Sequence, residues 1–282
     1  MPELPEVETT ARGLRERIVG KRIAEVSGID WPRMLPNAAP ELLAAVLPSL
    51  TVELVDRRGK YLILGLSDDR WLTIHRKMSG NLVFDPDGAS LLAPHTHLVI
   101  HFEDSSELRF VDPRKFGRVY LFLDREELDR FLAQRLGPEP LADLTVARLR
   151  SLVEGRRGRL KSLLLDQRFL AGIGNLYADE ILWDARLHPE RSAGSLTRPE
   201  LRRLADAIVR VLTEAIQRRG TSFSTYLDAS GQPGENQSSL QVYGRAGLPC
   251  PRCARPIERR VIAQRGTWLC PHCQRLPRPA VP

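Results

Sequence analysis

No stretch of this sequence is apolar for long enough to cross a lipid bilayer. A membrane-spanning helix needs about 20 consecutive apolar residues, and the 282-residue chain contains no such run. A secretory signal is also missing, because the first eight residues include three acids and no apolar stretch. We therefore expect a cytoplasmic protein that makes no contact with a membrane.

Cysteine is absent from the first 249 residues, and all four cysteines fall within the last 33. Cys250, Cys253, Cys270 and Cys273 form two Cys-x-x-Cys pairs that are 16 residues apart. Each pair places two thiolates on one turn, and two such turns complete a tetrahedron around one metal ion. A disulfide framework is typical of secreted chains instead. The pattern predicts one structural zinc ion with no open position for catalysis.

Lysine is scarce as well, at five positions, so few side chains could serve as a lysine nucleophile. The net charge of +7 is concentrated at the C-terminal end, where residues 244–282 contain eight arginines and one acid. A solvated basic tail is one explanation of this excess. A phosphate-binding module is the other, because clustered arginine has affinity for a polyanion.

Apolar spacing divides the chain into a strand-rich half and a helical half. Residues 5–19 predict a helix, with a proline in its first turn and a glycine at its end. Seven short runs then predict an antiparallel sandwich or barrel. These runs are 51–55, 61–66, 71–74, 81–84, 97–102, 108–111 and 119–123. After about residue 126 the pattern becomes helical, with helices predicted at 146–153, 160–166, 176–183 and 199–218. Residues 220–239 lack periodicity and predict a mobile loop.

Three separated segments resemble one family, the bacterial formamidopyrimidine-DNA glycosylases, also called MutM. Pro-Glu-Leu-Pro-Glu-Val-Glu at residues 2–8 resembles the N-terminal signature of that family. Gly-Ile-Gly-Asn-Leu-Tyr-Ala-Asp-Glu at residues 172–180 resembles its helix-two-turn-helix signature. The four-cysteine module resembles its C-terminal zinc finger. The order of the segments and the chain length also agree, so the resemblance covers essentially the whole chain.

The resemblance implies an α+β fold in three parts. Residues 1–134 would form a catalytic β-sandwich or barrel flanked by helices. Residues 135–240 would form a helix-two-turn-helix domain carrying a lesion-recognition loop at 220–239. Residues 241–282 would form a β-hairpin zinc finger and a C-terminal tail. The implied activity is excision of oxidised purines (8-oxoguanine and formamidopyrimidines) from double-stranded DNA, followed by β,δ-elimination. We expect a monomer, associated with the nucleoid through DNA.

The implied nucleophile is the amine of Pro2, freed by removal of Met1. A free α-amino group has a pKa of about 7.7–8.0 and lysine about 10.4, so far more of the α-amine is neutral at pH 7. Considered without the resemblance, Pro2 needs no role beyond directing the removal of Met1. Attack on C1′ would give a Schiff base, and base loss and strand cleavage could follow on that intermediate. Glu3 matches the acid/base of the family, which assists opening of the deoxyribose ring.

The resemblance assigns further residues around this chemistry. Lys60 is implied as a catalytic residue that also contacts phosphate, although a solvated charge would be ordinary in its predicted hairpin turn. Glu6 and Lys161 match supporting positions. An acid in the first turn of a helix is an equally good explanation of Glu6.

Three residues match the family's replacement for the extruded base. Met78 and Phe116 would wedge into the stack, and Arg114 would pair with the orphaned cytosine. The alternative is that Met78 and Phe116 are core residues, which their glycine-flanked turns disfavour.

Contacts to the DNA backbone are implied for His75, Asn175, Tyr243 and Arg265. His75 is also compatible with a simple strand residue, and Asn175 with a cap for a helix that begins at residue 176. Arg265 is predicted at the tip of a hairpin between the two cysteine pairs, where it could bind phosphate with two hydrogen bonds.

Two other functions remain open from the sequence. An endonuclease VIII-like glycosylase would share the fold and nucleophile but prefer oxidised pyrimidines. A non-catalytic zinc-ribbon DNA-binding protein would leave Pro2, Glu3 and the three wedge residues without a role.

Overall fold

The computed structural model describes residues 2–223 and 225–276, and they form two compact units. The first unit comprises Met1–Gln134 and Ile216–Gln237, and the second comprises Arg135–Ala215 and Ser238–Pro282, each as far as it is described. This grouping differs from a division by chain order, because most of the loop predicted at residues 220–239 groups with the first unit. The division at residues 134 and 240 therefore stays a prediction.

The described part of the first unit contains two four-stranded antiparallel sheets and three α-helices. The strands are β1 (Ile23–Ser27), β2 (Val52–Arg58), β3 (Tyr61–Leu66), β4 (Arg70–His75), β5 (Asn81–Asp85), β6 (Thr96–Phe102), β7 (Glu107–Val111) and β8 (Arg118–Phe122). The helices are α1 (Leu4–Ile18), α2 (Pro40–Val46) and α3 (Arg125–Ala133). One sheet has the order β1-β6-β7-β5 and the other β2-β3-β4-β8.

A single buried cluster takes side chains from both sheets and from α1. Strand β3 lies between β2 and β4 and is buried at all six positions, which explains its continuous apolar sequence. Helix α1 buries Val7, Ala11, Leu14 and Ile18, the stripe expected from its spacing. Each large apolar side chain buried in this way stabilises the fold by about 1.5–3 kcal/mol. The predicted sandwich is confirmed.

Strand β1 and helix α2 had no clear signal in the sequence. Only two of the five β1 residues, Ile23 and Val26, are buried, and a bulge interrupts pairing with β6. Helix α2 has seven residues, too few to show helical periodicity. Strand β1 is held by its hydrogen bonds to β6, whereas α2 makes its own backbone hydrogen bonds and places Leu43 in the apolar cluster.

The described part of the second unit is helical, with one hairpin. It contains α4 (Val146–Val153), α5 (Leu160–Leu165), α6 (Asn175–Asp184) and α7 (Arg198–Gln217), whose last residues group with the first unit. Strands β9 (Glu258–Ile262) and β10 (Arg265–Leu269) pair antiparallel. The four helices predicted from spacing are confirmed, with ends that differ by at most one residue. Among the described helices we find none with the length and hydrophobicity to span a bilayer.

Candidate active site and nucleic-acid interface

The N-terminal residues are held at the beginning of α1. Pro2 is buried, and Glu3, with 4% of its surface exposed, is the N-cap residue of the helix. Glu3 and Glu6 form a reciprocal capping box, in which the Glu3 amide donates to Glu6 Oε2 at 2.8 Å. The predicted nucleophile and acid/base therefore stand at the N-terminal, positive end of the α1 helix dipole.

Glu6 does more than occupy the first turn of the helix. It is 3% exposed, and its Oε1 accepts a hydrogen bond at 2.7 Å from the amide of Thr221, at the start of the loop predicted at residues 220–239. A β-carbon added at Gly220 would lie 2.9 Å from the Glu6 side chain, so this approach requires glycine. One carboxylate thus connects the backbone of Glu3 to the loop. Local sequence could not reveal this contact, which joins positions 215 residues apart.

Lys60 lies in the turn between β2 and β3 but is only 5% exposed, so its interpretation as a solvated charge is wrong. Burial lowers the pKa of Lys60, while the charges of Glu3 and Glu6 act in the opposite direction. This lysine is therefore placed within the electrostatic reach of both N-terminal carboxylates. A lowered pKa also makes Lys60 a better amine nucleophile than an ordinary lysine.

His75 is the last residue of β4 and is neutral. Burial, followed by the charges of Lys77 and Lys60, lowers the pKa of His75 to about 3. Its Nδ1 accepts a hydrogen bond from the Lys77 amide at 3.0 Å, and its ring packs edge-on against Tyr61. The interpretation as a strand residue is correct. A DNA contact, which stays a prediction, would come from a neutral N–H and not from a cation.

Met78 and Phe116 are exposed, at 43% and 42% of their surfaces, so the core interpretation is wrong for both. Met78 lies in the wedge turn, which we define as residues 77–80. The guanidinium of Arg114 lies 4.8 Å from the centre of the Phe116 ring. The three residues proposed to replace an extruded base are thus available to a partner. Their insertion into DNA stays a prediction.

Asp112 organises both turns that carry these residues, a role that sequence analysis missed. It is fully buried, and it accepts hydrogen bonds from Ser79 Oγ at 2.5 Å, from the Phe116 amide at 2.9 Å and from the Gly117 amide at 2.7 Å. Its place before proline in the Asp-Pro-Arg-Lys-Phe-Gly turn was the available signal, because aspartate caps turns of this kind.

In the second unit, α5 and α6 hold the hairpin strand β10. Asn175 Nδ2 donates to the carbonyl of Gly266 at 2.9 Å, and Lys161 Nζ donates to the same carbonyl at 3.1 Å. Lys161 is fully buried and also pairs with Asp179 at 2.7 Å. Burial raises the pKa of Asp179 to about 7 against the opposing effect of Lys161. Lys161 therefore supports the hairpin.

The interpretation of Asn175 as a helix cap is wrong. Helix α6 begins at Asn175 itself. Its N-cap is Gly174, which has no side chain that could cap the helix. The side chain is directed to the hairpin instead. Contact between Asn175 and a DNA phosphate stays a prediction.

Tyr243 lies beside the hairpin. Its ring centre is 4.3 Å from that of Trp268, and its amide donates to Glu180 Oε1 at 2.8 Å. Glu180 also accepts from the amides of Gln241 and Val242, which folds the chain back onto α6. This acid belongs to the segment that resembles the helix-two-turn-helix signature, but sequence analysis gave it no role.

Arg265 is exposed at the start of β10, next to a tip formed by Ala263 and Gln264. Both tip residues have left-handed backbone conformations, with φ of 52° and 59°, as two-residue hairpin turns require. The predicted hairpin is confirmed, but Arg265 pairs with Ile262 directly after the tip and does not form the tip itself. The phosphate contact of Arg265 stays a prediction.

The four cysteines converge as the sequence predicts. Their sulfur atoms all lie within 4.8 Å of one another. Trp183 Nε1 donates to Cys250 Sγ at 3.4 Å, which fixes one of the sulfurs from α6. Four soft thiolates at this spacing fit tetrahedral zinc, with Zn–S bonds of about 2.3 Å.

Three family models match successive parts of the chain. They are described as the formamidopyrimidine-DNA glycosylase N-terminal domain (residues 1–119), the formamidopyrimidine-DNA glycosylase H2TH domain (136–226) and a zinc finger found in FPG and IleRS (247–276). Together they extend over most of the sequence.

Curated relatives match over nearly the full length. The chain is 45% identical to a formamidopyrimidine-DNA glycosylase of Herpetosiphon aurantiacus, over 97% of this chain and 100% of the relative. It is 46% identical to that of Chloroflexus aurantiacus, over 97% and 98%.

Solved structures are similar as well. A Lactococcus lactis Fpg in complex with abasic-site DNA has a TM-score of 0.90 at 37% identity, covering 97% of this chain and 100% of that one. MutM from Thermus thermophilus has a TM-score of 0.86 at 42% identity, covering 97% and 98%.

Proposed function

The chain belongs to the formamidopyrimidine-DNA glycosylase family, and on that premise we propose that it excises oxidised purines through the amine of Pro2. It is a DNA glycosylase of base excision repair with AP lyase activity. The main support for this active site is that Pro2, Glu3 and Lys60 are all buried and that Pro2 and Glu3 stand at the beginning of α1. Buried Pro2 precedes Glu3, and the charge of Glu3 acts on buried Lys60.

The Pro2 amine attacks C1′ of the damaged nucleotide, and the glycosidic bonding pair leaves with the base. Glu3 takes the proton that the Pro2 nitrogen loses and transfers it to the ring oxygen O4′. The C1′–O4′ bond then breaks as the nitrogen lone pair forms the iminium on Pro2, and the departing base takes a proton from water. The iminium acidifies the C2′ proton, so elimination expels the 3′ phosphate. Elimination of the 5′ phosphate follows, and water finally releases the sugar fragment from Pro2. The products are the free base, the released sugar fragment and a one-nucleotide gap.

Lys60 acts beside this centre as a cation that binds the phosphate next to the lesion. Its burial removes water that would screen the interaction, which strengthens attraction to an anion. In the second unit, Asn175, Tyr243 and exposed Arg265 contact further phosphates. The chain acts on double-stranded DNA as a monomer, in the cytoplasm and on the nucleoid.

Cys250, Cys253, Cys270 and Cys273 hold one structural zinc ion. All four positions are occupied by protein, so the ion stabilises the module. The protein residues of the proposed reaction are Pro2, Glu3 and Lys60, which lie in the other unit.

An endonuclease VIII-like preference for oxidised pyrimidines is the remaining alternative for the substrate. The Asp-Pro-Arg-Lys-Phe-Gly turn and the long loop at 220–239 favour purines, as in the family that the chain resembles. A non-catalytic zinc-ribbon protein is excluded by membership of an enzyme family.

The nucleophile is tested by trapping the imine. Borohydride should join the mature protein to duplex DNA containing 8-oxoguanine, and peptide mapping should place the adduct on Pro2. Pro2→Gly should lose most base excision, and protein that retains Met1 should be inactive because its amine is displaced. Lys60→Ala is the matched control, which should still form the adduct. Lys60 is the competing nucleophile, because its amine is buried and has a lowered pKa. An adduct on the peptide containing Lys60 would therefore overturn the assignment to Pro2.

A further inference from the structure

One buried arginine has no part in the proposed chemistry. Arg76 follows the end of β4, precedes Met78 by two residues, and is 1% exposed. Burying a guanidinium is costly unless its N–H donors find partners. Its position therefore implies a function that requires a charged, many-donor side chain at this place in the fold.

The donors of Arg76 reach three separate segments. Nε donates to the carbonyl of Gly80 in the wedge turn at 2.7 Å, and Nη1 donates to Thr10 Oγ1 of α1 at 2.6 Å. Nη2 donates to the carbonyl of Leu227 in the lesion-recognition loop at 3.1 Å, and also to Asn81 Oδ1. The wedge turn, helix α1 and the loop are thus connected through one side chain.

Asn81 extends this contact along the loop. Because a guanidinium only donates, Asn81 must direct its oxygen toward Arg76, and this fixes the orientation of the amide. The same oxygen accepts from the Leu227 amide at 3.1 Å, and Nδ2 donates to the carbonyl of Thr225 at 2.5 Å. The ring of Tyr226 lies 5.0 Å from the Arg76 guanidinium carbon. Three consecutive loop residues are therefore held by two side chains.

We propose that Arg76 is a positioning residue for base recognition, which clamps residues 225–227 of the lesion-recognition loop through direct contacts and through Asn81. The idea rests on the proposed function, because it requires that this loop contacts the extruded base. The loop is anchored on its other side by the bond from Thr221 to Glu6. Exposed Phe223 lies between the two anchors, at 60% exposure. The two anchors determine where this short segment meets a base.

Arginine suits this place better than lysine. The three nitrogens of the guanidinium reach acceptors in Gly80, Thr10, Asn81 and Leu227. A lysine ammonium has one nitrogen and cannot span these acceptors. We therefore expect Arg76→Lys to lose the clamping of residues 225–227, as Arg76→Met does.

Two activities of the same enzyme test the proposal. Excision of 8-oxoguanine needs recognition of the base, whereas strand cleavage at a preformed abasic site does not. In Arg76→Met, kcat/KM for excision should fall roughly tenfold through the lost loop contacts, while abasic-site cleavage should change less than about twofold. Arg109→Met is the matched control. Arg109 is also buried in the sandwich, but it pairs with Asp85 and Glu107, so its loss should leave the ratio of the two activities unchanged.

Asn81→Ala tests the loop contact separately, because it removes the bonds to Thr225 and Leu227 and leaves those of Arg76 to Thr10 and Gly80. It should lower the same ratio and accelerate hydrogen exchange at the Leu227 amide. If Asn81→Ala and a folded Arg76 variant both keep the wild-type ratio of excision to abasic-site cleavage, the proposal is wrong. Absence of both activities from the wild-type enzyme would instead overturn the proposed function, so the two failures are distinguishable.

Discussion

Arg114 and Phe116 owe their exposed positions to a buried carboxylate. Asp112 binds the backbone of the turn that carries them, and Lys115 adopts a left-handed conformation, with φ of 55°, that lets the turn close. The guanidinium and the ring then contact each other. A side chain held in this way loses less conformational entropy when it enters DNA, because the turn already restricts it.

We expect Arg114 to determine the preference for the opposing base. A guanidinium can donate twice to the acceptors of cytosine, whereas adenine presents a donor at its pairing edge. Excision should therefore be faster opposite cytosine than opposite adenine, and Arg114→Ala should reduce that ratio by roughly tenfold, the discrimination expected of a bidentate contact. Excision rates on the two duplexes measure it. Lys115→Ala removes a charge from the same turn and should leave the ratio intact; an unchanged ratio in Arg114→Ala would remove Arg114 from this role.

The hairpin β9–β10 is fixed by helices as well as by the cysteines. Lys161 binds the hairpin at Gly266 and at Thr267 Oγ1, and Asn175 binds the same Gly266 carbonyl. Arg265 directly precedes this anchored residue, so its backbone has little freedom. The side chain itself is exposed and available to an anion.

Arg265→Ala should therefore weaken DNA binding by removing one phosphate contact. The slope of log Kd against log salt should decrease by about one, with a similar loss of affinity for damaged and undamaged duplexes. Fluorescence anisotropy at several salt concentrations measures this slope. Arg260 on β9 is the control, since it is comparably placed but paired with Glu258 at 2.6 Å. An equal effect of Arg260→Ala would show that only net charge matters.

The two compact units have separate cores. One contains the sandwich cluster, and the other contains a small cluster of Trp183, Val242, Ile257 and the buried cysteines. A small cluster of this kind depends on its metal, because little apolar surface is buried around it. The large sandwich core has no such dependence.

Zinc removal should therefore unfold part of one unit and leave the other folded. Tryptophan provides local probes, because Trp31 and Trp71 lie in the sandwich unit and Trp183 and Trp268 beside the cysteines. Chelation or Cys250→Ser should change the fluorescence of Trp183 and Trp268, measured in variants that keep only that pair. DNA affinity should fall at least tenfold as the hairpin loses its geometry. Variants that keep only Trp31 and Trp71 should be unaffected, and full DNA affinity without zinc would contradict the expectation.

The sequence by itself determined the features that depend on near neighbours. Periodicity predicted seven strands and the four helices from α4 to α7, because burial of one face leaves its period in the residues. The cysteine spacing predicted the metal site, since two residues on one turn are already close. The motifs identified the family, and hence most candidate residues, through short segments whose composition is unusual.

Only the tertiary structure decided what those residues contact. It buried Lys60, which local sequence placed in an ordinary turn, and it directed Asn175 to a hairpin far along the chain. It also joined Glu6 to Thr221 and Arg76 to Leu227. Such contacts leave no periodic signal, because they bring together positions separated by many residues. Burial and charge at these positions are set by the packing of distant segments, which the order of residues along one element does not specify.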